Sequence, residues 1–181
     1  GSLEKAFYYF SAPAITGVSP GKASIYGGNI ITITGPQLYP GMTIQFGNED
    51  GLIEEAVVIE PNLKVFSETM LRFRVPRDVG FTPGNNYYLK ITNTDGGTTA
   101  WEGFIFKNPV KDLRVDQISP NEGSKAGGTP VTVTGQDFQR DAAVYFGWEP
   151  VKSINNITQE SLLVVSPPNE PGIYDVTVMN I

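Results

Sequence analysis

Side chains that could hold a metal ion gather in two segments of the first half of the chain. Asn48-Glu49-Asp50-Gly51 and Glu54-Glu55 follow an apolar run, and Asp95-Gly96 occupies a turn. Oxygen ligands grouped in one loop are the ligands that calcium prefers. Neither segment has the D-x-[DN]-x-[DN]-G-x5-E spacing of a calcium-binding loop, so solvated turn residues are the favoured interpretation. We predict no metal site and no cofactor.

Aromatic side chains are the second candidate for a binding site. Trp148 stands beside Glu149, just after an apolar run and in a predicted loop. A ring exposed beside a polar group can stack on a sugar, whereas most aromatic residues of a β-sandwich fill the core or pair across strands. Trp148 and Glu149 are therefore predicted ligand contacts. The alternative is that Trp148 covers one end of the core.

The composition excludes several kinds of chemistry. The chain has 181 residues with no cysteine and no histidine, so disulfides, thiolate or imidazole metal sites and Ser-His-Asp triads are excluded. No pair of carboxylates indicates glycoside hydrolysis. The net charge is −6 and the basic residues are scattered, which argues against nucleic acid. No apolar run approaches the roughly 18 residues of a membrane helix. We predict a non-enzyme with no catalytic residues.

Apolar and polar residues alternate with a period of two, which indicates half-buried β-strands. Eight residues also recur at a constant offset of one hundred, which predicts that one structural unit is used twice. The first members are Pro20, Gly27, Gly28, Thr32, Thr34, Gly35, Phe46 and Gly47, and their partners are Pro120, Gly127, Gly128, Thr132, Thr134, Gly135, Phe146 and Gly147. The paired glycines 27–28 and 127–128 mark turns with positive φ, while Gly35 and Gly135 are expected to end strands.

Further strands follow in both halves, and no segment predicts a convincing helix. About seven short strands per hundred residues is typical of an immunoglobulin-like sandwich. The predicted strands are Ile53–Ile59, Thr69–Val75, Tyr87–Asn93 and Thr99–Lys107 in the first half, and Val151–Ile157, Leu162–Ser166 and Ile173–Asn180 in the second. The predicted fold class is all-β, with two tandem immunoglobulin-like β-sandwiches.

These motifs together resemble the IPT/TIG domain. The first copy reads Ile15 to Pro20, Gly27-Gly28, Ile31 to Gly35 and Phe46-Gly47, and the second repeats it from Asp116, which departs from the usual apolar first residue. The resemblance implies a compact immunoglobulin-like sandwich. It also implies a spread of settings: cell-surface receptors, Rel-type transcription factors, starch-acting enzymes and bacterial surface proteins. Tandem copies without cysteine look most like the bacterial group.

The two copies are not equally complete in the sequence. Residues 13–108 are predicted to form the first domain, and 109–181 the second domain without its final strand. Residues 1–12 are predicted to hold an expression remnant (1–2) and the last strand of a preceding repeat, so the chain is expected to be part of a longer array. We predict that residues 3–10, with Phe7, Tyr8, Tyr9 and Phe10, can complete the second domain of another molecule. A flexible tail beside a frayed domain is the alternative.

The leading functional hypothesis is a non-catalytic module of the cell surface or extracellular space. It would act as a spacer or as an adhesion or protein-interaction unit, with other proteins or surface glycans as partners. The first alternative is a carbohydrate-binding accessory module of a polysaccharide-acting or glycan-receptor protein. The second is a dimerising module of a DNA-binding factor, which the acidic balance disfavours.

Overall fold

The chain folds into two compact units that divide after Lys107, and each is built from strands. A computed structural model describes residues 11–108 and 113–180. Those residues contain no helix, so none of them forms a helix that is long and apolar enough to cross a membrane. The all-β prediction is confirmed, and each unit is an immunoglobulin-like sandwich.

The first unit packs a four-stranded sheet against a five-stranded one. Its strands are β1 (Gly17–Ser19), β2 (Lys22–Ser24), β3 (Ile30–Thr34), β4 (Thr43–Asn48), β5 (Gly51–Val58), β6 (Leu63–Ser67), β7 (Met70–Arg74), β8 (Asn86–Thr92) and β9 (Thr98–Lys107). One sheet has the order β1-β3-β7-β6, and the other has β2-β9-β8-β4-β5. All pairs are antiparallel except β2 with β9, which run parallel. β8 buries alternate residues, and the apolar side chains of the two inner faces form the core.

Phenylalanines dominate the core of the first unit. Phe46 is fully buried, and its ring centroid lies 5.3 to 5.5 Å from those of Phe81, Phe104 and Phe106. The Phe81 and Phe106 rings stack at 3.7 Å. Such ring pairs add stability beyond the area they bury. Phe46, on β4, also lies 6.0 Å from Phe73 on β7, so this cluster joins the five-stranded sheet to the four-stranded one.

The second unit follows the same plan with fewer strands. They are β10 (Arg114–Ser119), β11 (Pro130–Gln136), β12 (Ala143–Phe146), β13 (Glu149–Pro150), β14 (Ile154–Ile157), β15 (Ser161–Val165) and β16 (Val176–Met179). The four-stranded sheet has the order β10-β11-β15-β14, which matches its counterpart in the first unit. The other sheet has the order β13-β12-β16 among residues 113–180. Phe146 lies one hundred residues after Phe46 and is only half-buried.

Five strands escaped the sequence analysis, and two predicted strands needed correction. The missed strands are β1, β2, β6, β10 and β13. The strand predicted from Val151 begins only at Ile154, because residues 151–153 connect β13 in one sheet to β14 in the other. The strand predicted from Ile173 begins only at Val176. Residues 169–175 instead form a loop in which the Tyr174 hydroxyl donates to the Glu170 carbonyl at 3.0 Å.

The proposed donor strand lies outside the described residues. Phe7, Tyr8, Tyr9 and Phe10 belong to the first ten residues, of which the structure gives no description. Completion of another molecule's second domain by this segment therefore stays a prediction.

Candidate functional site

The recurring glycine pairs form the same turn in both units. Gly27 and Gly28 have φ of 68° and 81°, and Gly127 and Gly128 have 74° and 86°, as the sequence predicted. In each turn the first glycine N–H donates to a serine carbonyl three residues earlier, at 2.9 Å. A Cβ on Gly27 would lie 1.9 Å from the Pro76 carbonyl oxygen. Positive φ and close backbone approach together explain why these positions are glycine.

Gly35 and Gly135 are conserved between the two units for the same reason. A Cβ on Gly35 would lie 1.9 Å from the Ala14 carbonyl oxygen, and one on Gly135 would lie 1.9 Å from that of Arg114. Both positions favour glycine because the backbone at the start of each unit passes directly over them. The expectation that Gly135 ends its strand is wrong, since β11 continues to Gln136, whereas β3 ends before Gly35.

A recurring asparagine was missed by the sequence analysis. Asn93 donates from Nδ2 to the Gln37 carbonyl at 3.1 Å, and Asn180 donates to the Asp137 carbonyl at 2.7 Å. Gln37 and Asp137 are one hundred residues apart, and both have positive φ, at 66° and 58°. The asparagine therefore fixes a strained loop in each unit. In both units the asparagine directly follows a strand, β8 or β16, and that shared position is the signal that could have revealed it.

The acidic segments stabilise turns. Asn48 accepts a hydrogen bond from the Asp50 N–H through Oδ1, and Asp95 accepts one from the Gly97 N–H, both at 3.0 Å. These are Asx turns, in which a side chain mimics the backbone. Within residues 11–108 and 113–180, no three acidic side chains approach closely enough to share a metal ion.

Trp148 and Glu149 lie at a tight hairpin of the second unit. Gly147 and Trp148 form the two-residue loop between β12 and β13, with Phe146 paired to Glu149. Gly147 has φ of 63°, and a glycine first in a two-residue loop is typical of a type II′ turn. Both Trp148 and Glu149 are half-buried. The structure thus places the predicted tryptophan at a loop tip, partly open to solvent.

A second aromatic residue lies against this hairpin. A Cβ on Gly147 would lie 2.7 Å from Tyr174 Cδ1, so the tyrosine ring packs on the glycine. Tyr174 is 40% exposed, and its neighbour Ile173 is fully exposed. We call Gly147, Trp148, Ile173 and Tyr174 the aromatic end of the second unit. The sequence analysis missed Tyr174. A tyrosine also lies against the corresponding glycine of the first unit, but there Tyr88 is the cross-strand partner of Gly47.

The two units belong to one class of protein domain, the immunoglobulin-like β-sandwich, which presents loops and strand edges to solvent. The repeated glycine turns point further, to one family within that class. The family model of the IPT/TIG domain matches residues 13–104 and 113–181. The chain therefore belongs to the IPT/TIG family, and the resemblance seen in the sequence is confirmed. Comparison with curated proteins gives no match.

Several solved structures are similar to this chain over most of its length. The extracellular region of plexin A4 is 17% identical with a TM-score of 0.39, over 92% of this chain and 16% of the plexin. The surface glycan-binding protein PbSGBP-B from Prevotella bryantii is 17% identical with a TM-score of 0.34, over 94% and 40%. A Bacteroides ovatus SGBP-B in complex with a mixed-linkage heptasaccharide is 16% identical with a TM-score of 0.36, over 93% and 39%. The chain thus spans less than half the length of each.

Proposed function

We propose that the chain is a non-catalytic module of the cell surface or extracellular space, two units of a longer repeat array that space or adhere. The observation that supports this most directly is the use of the recurring residues. The glycine turns, the glycines under the first strand and the asparagines all stabilise the sandwich in both copies. The duplicated plan therefore maintains a shape, and binding falls to the surfaces on which the copies differ. The partners are other proteins or surface glycans.

The aromatic end favours a second candidate, a carbohydrate-binding accessory module. A sugar ring has an apolar face that packs on an aromatic ring, while its hydroxyls need nearby hydrogen-bonding groups. Trp148 and Tyr174 supply rings that are partly open to solvent, and Glu149 and the Glu170 carbonyl supply acceptors. This surface would take a neutral glycan, since its carboxylates disfavour an anionic one.

Replacing Trp148 tests this candidate directly. Binding of the intact chain to a panel of neutral polysaccharides is measured by affinity gel electrophoresis. Trp148→Ala is expected to weaken binding by roughly tenfold or more, because the ring supplies most of the stacking area. The matched control is Tyr39→Ala, which removes a half-buried loop aromatic from the first unit.

Equal retardation of wild type and Trp148→Ala would contradict a site at the aromatic end. Failure of every glycan to retard the wild type would leave the carbohydrate candidate without support. Capture of a protein ligand in that case would favour adhesion.

Strand exchange is a separate prediction. We expect residues 3–10 of one molecule to complete the second unit of another, so that the full chain forms oligomers. Light scattering on the full chain and on a variant without residues 1–12 checks this. The shortened chain is expected to be monomeric, and identical monomeric masses for the two would contradict the exchange.

A further inference from the structure

We infer that the first unit carries a binding groove for a carboxylate-bearing glycan, such as a uronic-acid polymer. The groove has a volume of about 280 Å³ and lies between the end of β5 and the end of β7. Its lining includes Gly28, Val57, Asn62, Arg74 and Arg77. The inference deepens the proposed binding role and rests on it, but it uses a surface of the first unit and a charged ligand.

The charge of the groove sets it apart from the rest of the protein. Residues 60–78 hold four cationic side chains and three carboxylates, whereas the whole chain has a net charge of −6. The groove lining itself contains two arginines and no carboxylate. The four cations are Lys64, Arg72, Arg74 and Arg77. A positive site on an acidic protein favours an anionic partner.

Three of the cations follow one sheet face into the groove. Lys64 and Arg72 are cross-strand partners on β6 and β7, and they lie 4.9 and 4.5 Å from the centre of the Phe66 ring. Arg74 is two residues further along β7 and therefore shares the face of Arg72. The Phe66 ring holds Lys64 and Arg72 in place. Arg72 is buried, at 8% exposure, so Arg74 is the cation of this face that lines the groove.

Arg77 is the residue best placed to bind a carboxylate. Its Nη2 and Nε lie 2.9 and 3.2 Å from the position that a Cβ on Gly28 would take, so the guanidinium rests on bare backbone. In the part of the chain that the structure describes, Arg77 makes no hydrogen bond or ion pair. A guanidinium can grip a carboxylate with two parallel hydrogen bonds. An exposed arginine held against glycine keeps those donors available.

The other lining groups fit a sugar. Asn62 supplies an amide, and Val57, 43% exposed, supplies an apolar wall. The turn that ends at Gly28 also carries Tyr26, whose side chain is 67% exposed. A volume of about 280 Å³ lies near the lower end of small-molecule sites, roughly 300 Å³, and suits one ring of a longer polymer. An acidic peptide would bind the same arginines, but unlike a sugar it has no apolar ring face to stack on the exposed aromatic ring.

The second unit provides an internal comparison. Thr32 pairs with Arg72 on β7, whereas Thr132 pairs with Leu163 on β15. Arg74 pairs with Ile30, and the residue at the corresponding position of the second unit is Val165, which pairs with Pro130. Gly127 packs on the backbone of Pro167 and Pro168, where Gly27 packs on Pro76 and Arg77, so Pro168 replaces Arg77. The second sandwich forms without counterparts of Arg74 and Arg77, so the shared fold does not require these two cations.

Trigalacturonate is the probe, with calorimetry on the full chain at low and at physiological salt. Arg77→Ala is expected to weaken binding by roughly tenfold, the value of a lost charged hydrogen bond. Arg77→Lys keeps the charge but cannot form two parallel hydrogen bonds. Its affinity is expected to lie between those of the wild type and Arg77→Ala. Affinity should also decline with salt. The control is Arg140→Ala, an exposed arginine of the second unit, and unfolding midpoints verify that all variants fold.

Several results would overturn the groove assignment. They are undetectable trigalacturonate binding by the wild type, equal affinities of Arg77→Ala and Arg140→Ala, or tighter Arg77-dependent binding of an oligoglutamate peptide than of the uronate. Neutral-glycan binding that depends on Trp148 but not on Arg77 would overturn the groove assignment while supporting the proposed carbohydrate role. The two proposals therefore fail separately.

Discussion

Phe46→Ala is expected to unfold the first unit at a much lower denaturant concentration than the wild type. The side chain is fully buried, and its ring contacts Phe73, Phe81, Phe104 and Phe106 within 6.0 Å. Removing a buried phenylalanine costs about 3–5 kcal/mol, since the ring's burial is lost and a cavity remains. That loss is a large share of the roughly 5–15 kcal/mol that stabilises a domain.

Phe146→Ala is the matched control for this substitution. Phe146 occupies the corresponding position of β12, but it is only half-buried, so its loss is expected to cost about half as much. Urea unfolding is followed by tryptophan fluorescence in a Trp148→Phe background, where Trp101 reports the first unit, and in a Trp101→Phe background, where Trp148 reports the second. Equal losses at the two positions would show that the phenylalanine cluster does not hold the first sandwich together.

Gly27→Ala is expected to destabilise the first unit by roughly 3 kcal/mol or more. Two costs combine. A φ of 68° is unfavourable for any residue with a Cβ, and that Cβ would overlap the Pro76 carbonyl oxygen at 1.9 Å. The oxygen belongs to the backbone, so it cannot move away without displacing the segment after β7.

Gly84→Ala separates the two costs. Gly84 has φ of 81°, but nothing lies within 4 Å of its added Cβ. Only the backbone penalty applies there, about 1–2 kcal/mol. Thermal unfolding of the two variants gives the comparison. If Gly27→Ala were no less stable than Gly84→Ala, close packing at the turn would not be the reason for glycine.

The repeat explains why so much of the fold could be predicted. Gly27 and Gly127 predict the same turn in the two units, and the alternation at Ile31 and Ile33 predicts a strand with a buried face. These are local signals, readable from a few neighbouring residues. β1 and β2 escaped because a three-residue strand holds too little pattern to show a period.

The candidate sites were harder to predict because they depend on contacts between distant segments. Trp148 was found through its residue type, whereas Tyr174 lies 26 positions away and joins it only through the packing on Gly147. The groove escaped entirely, since the two arginines at its rim, Arg74 and Arg77, look like ordinary surface charges in the sequence. Only the folded chain brings them beside Val57 and Gly28.

The replacement of Arg77 by Pro168 illustrates how a duplicated domain can diversify. A handful of positions, mainly glycines and one asparagine, preserve the backbone of both copies. Residues next to those positions are not needed to maintain the backbone and can change. Tyr26, for example, is replaced by Ala126 in the corresponding turn. Successive copies in such a series can therefore acquire different binding specificities while their backbone fold stays the same.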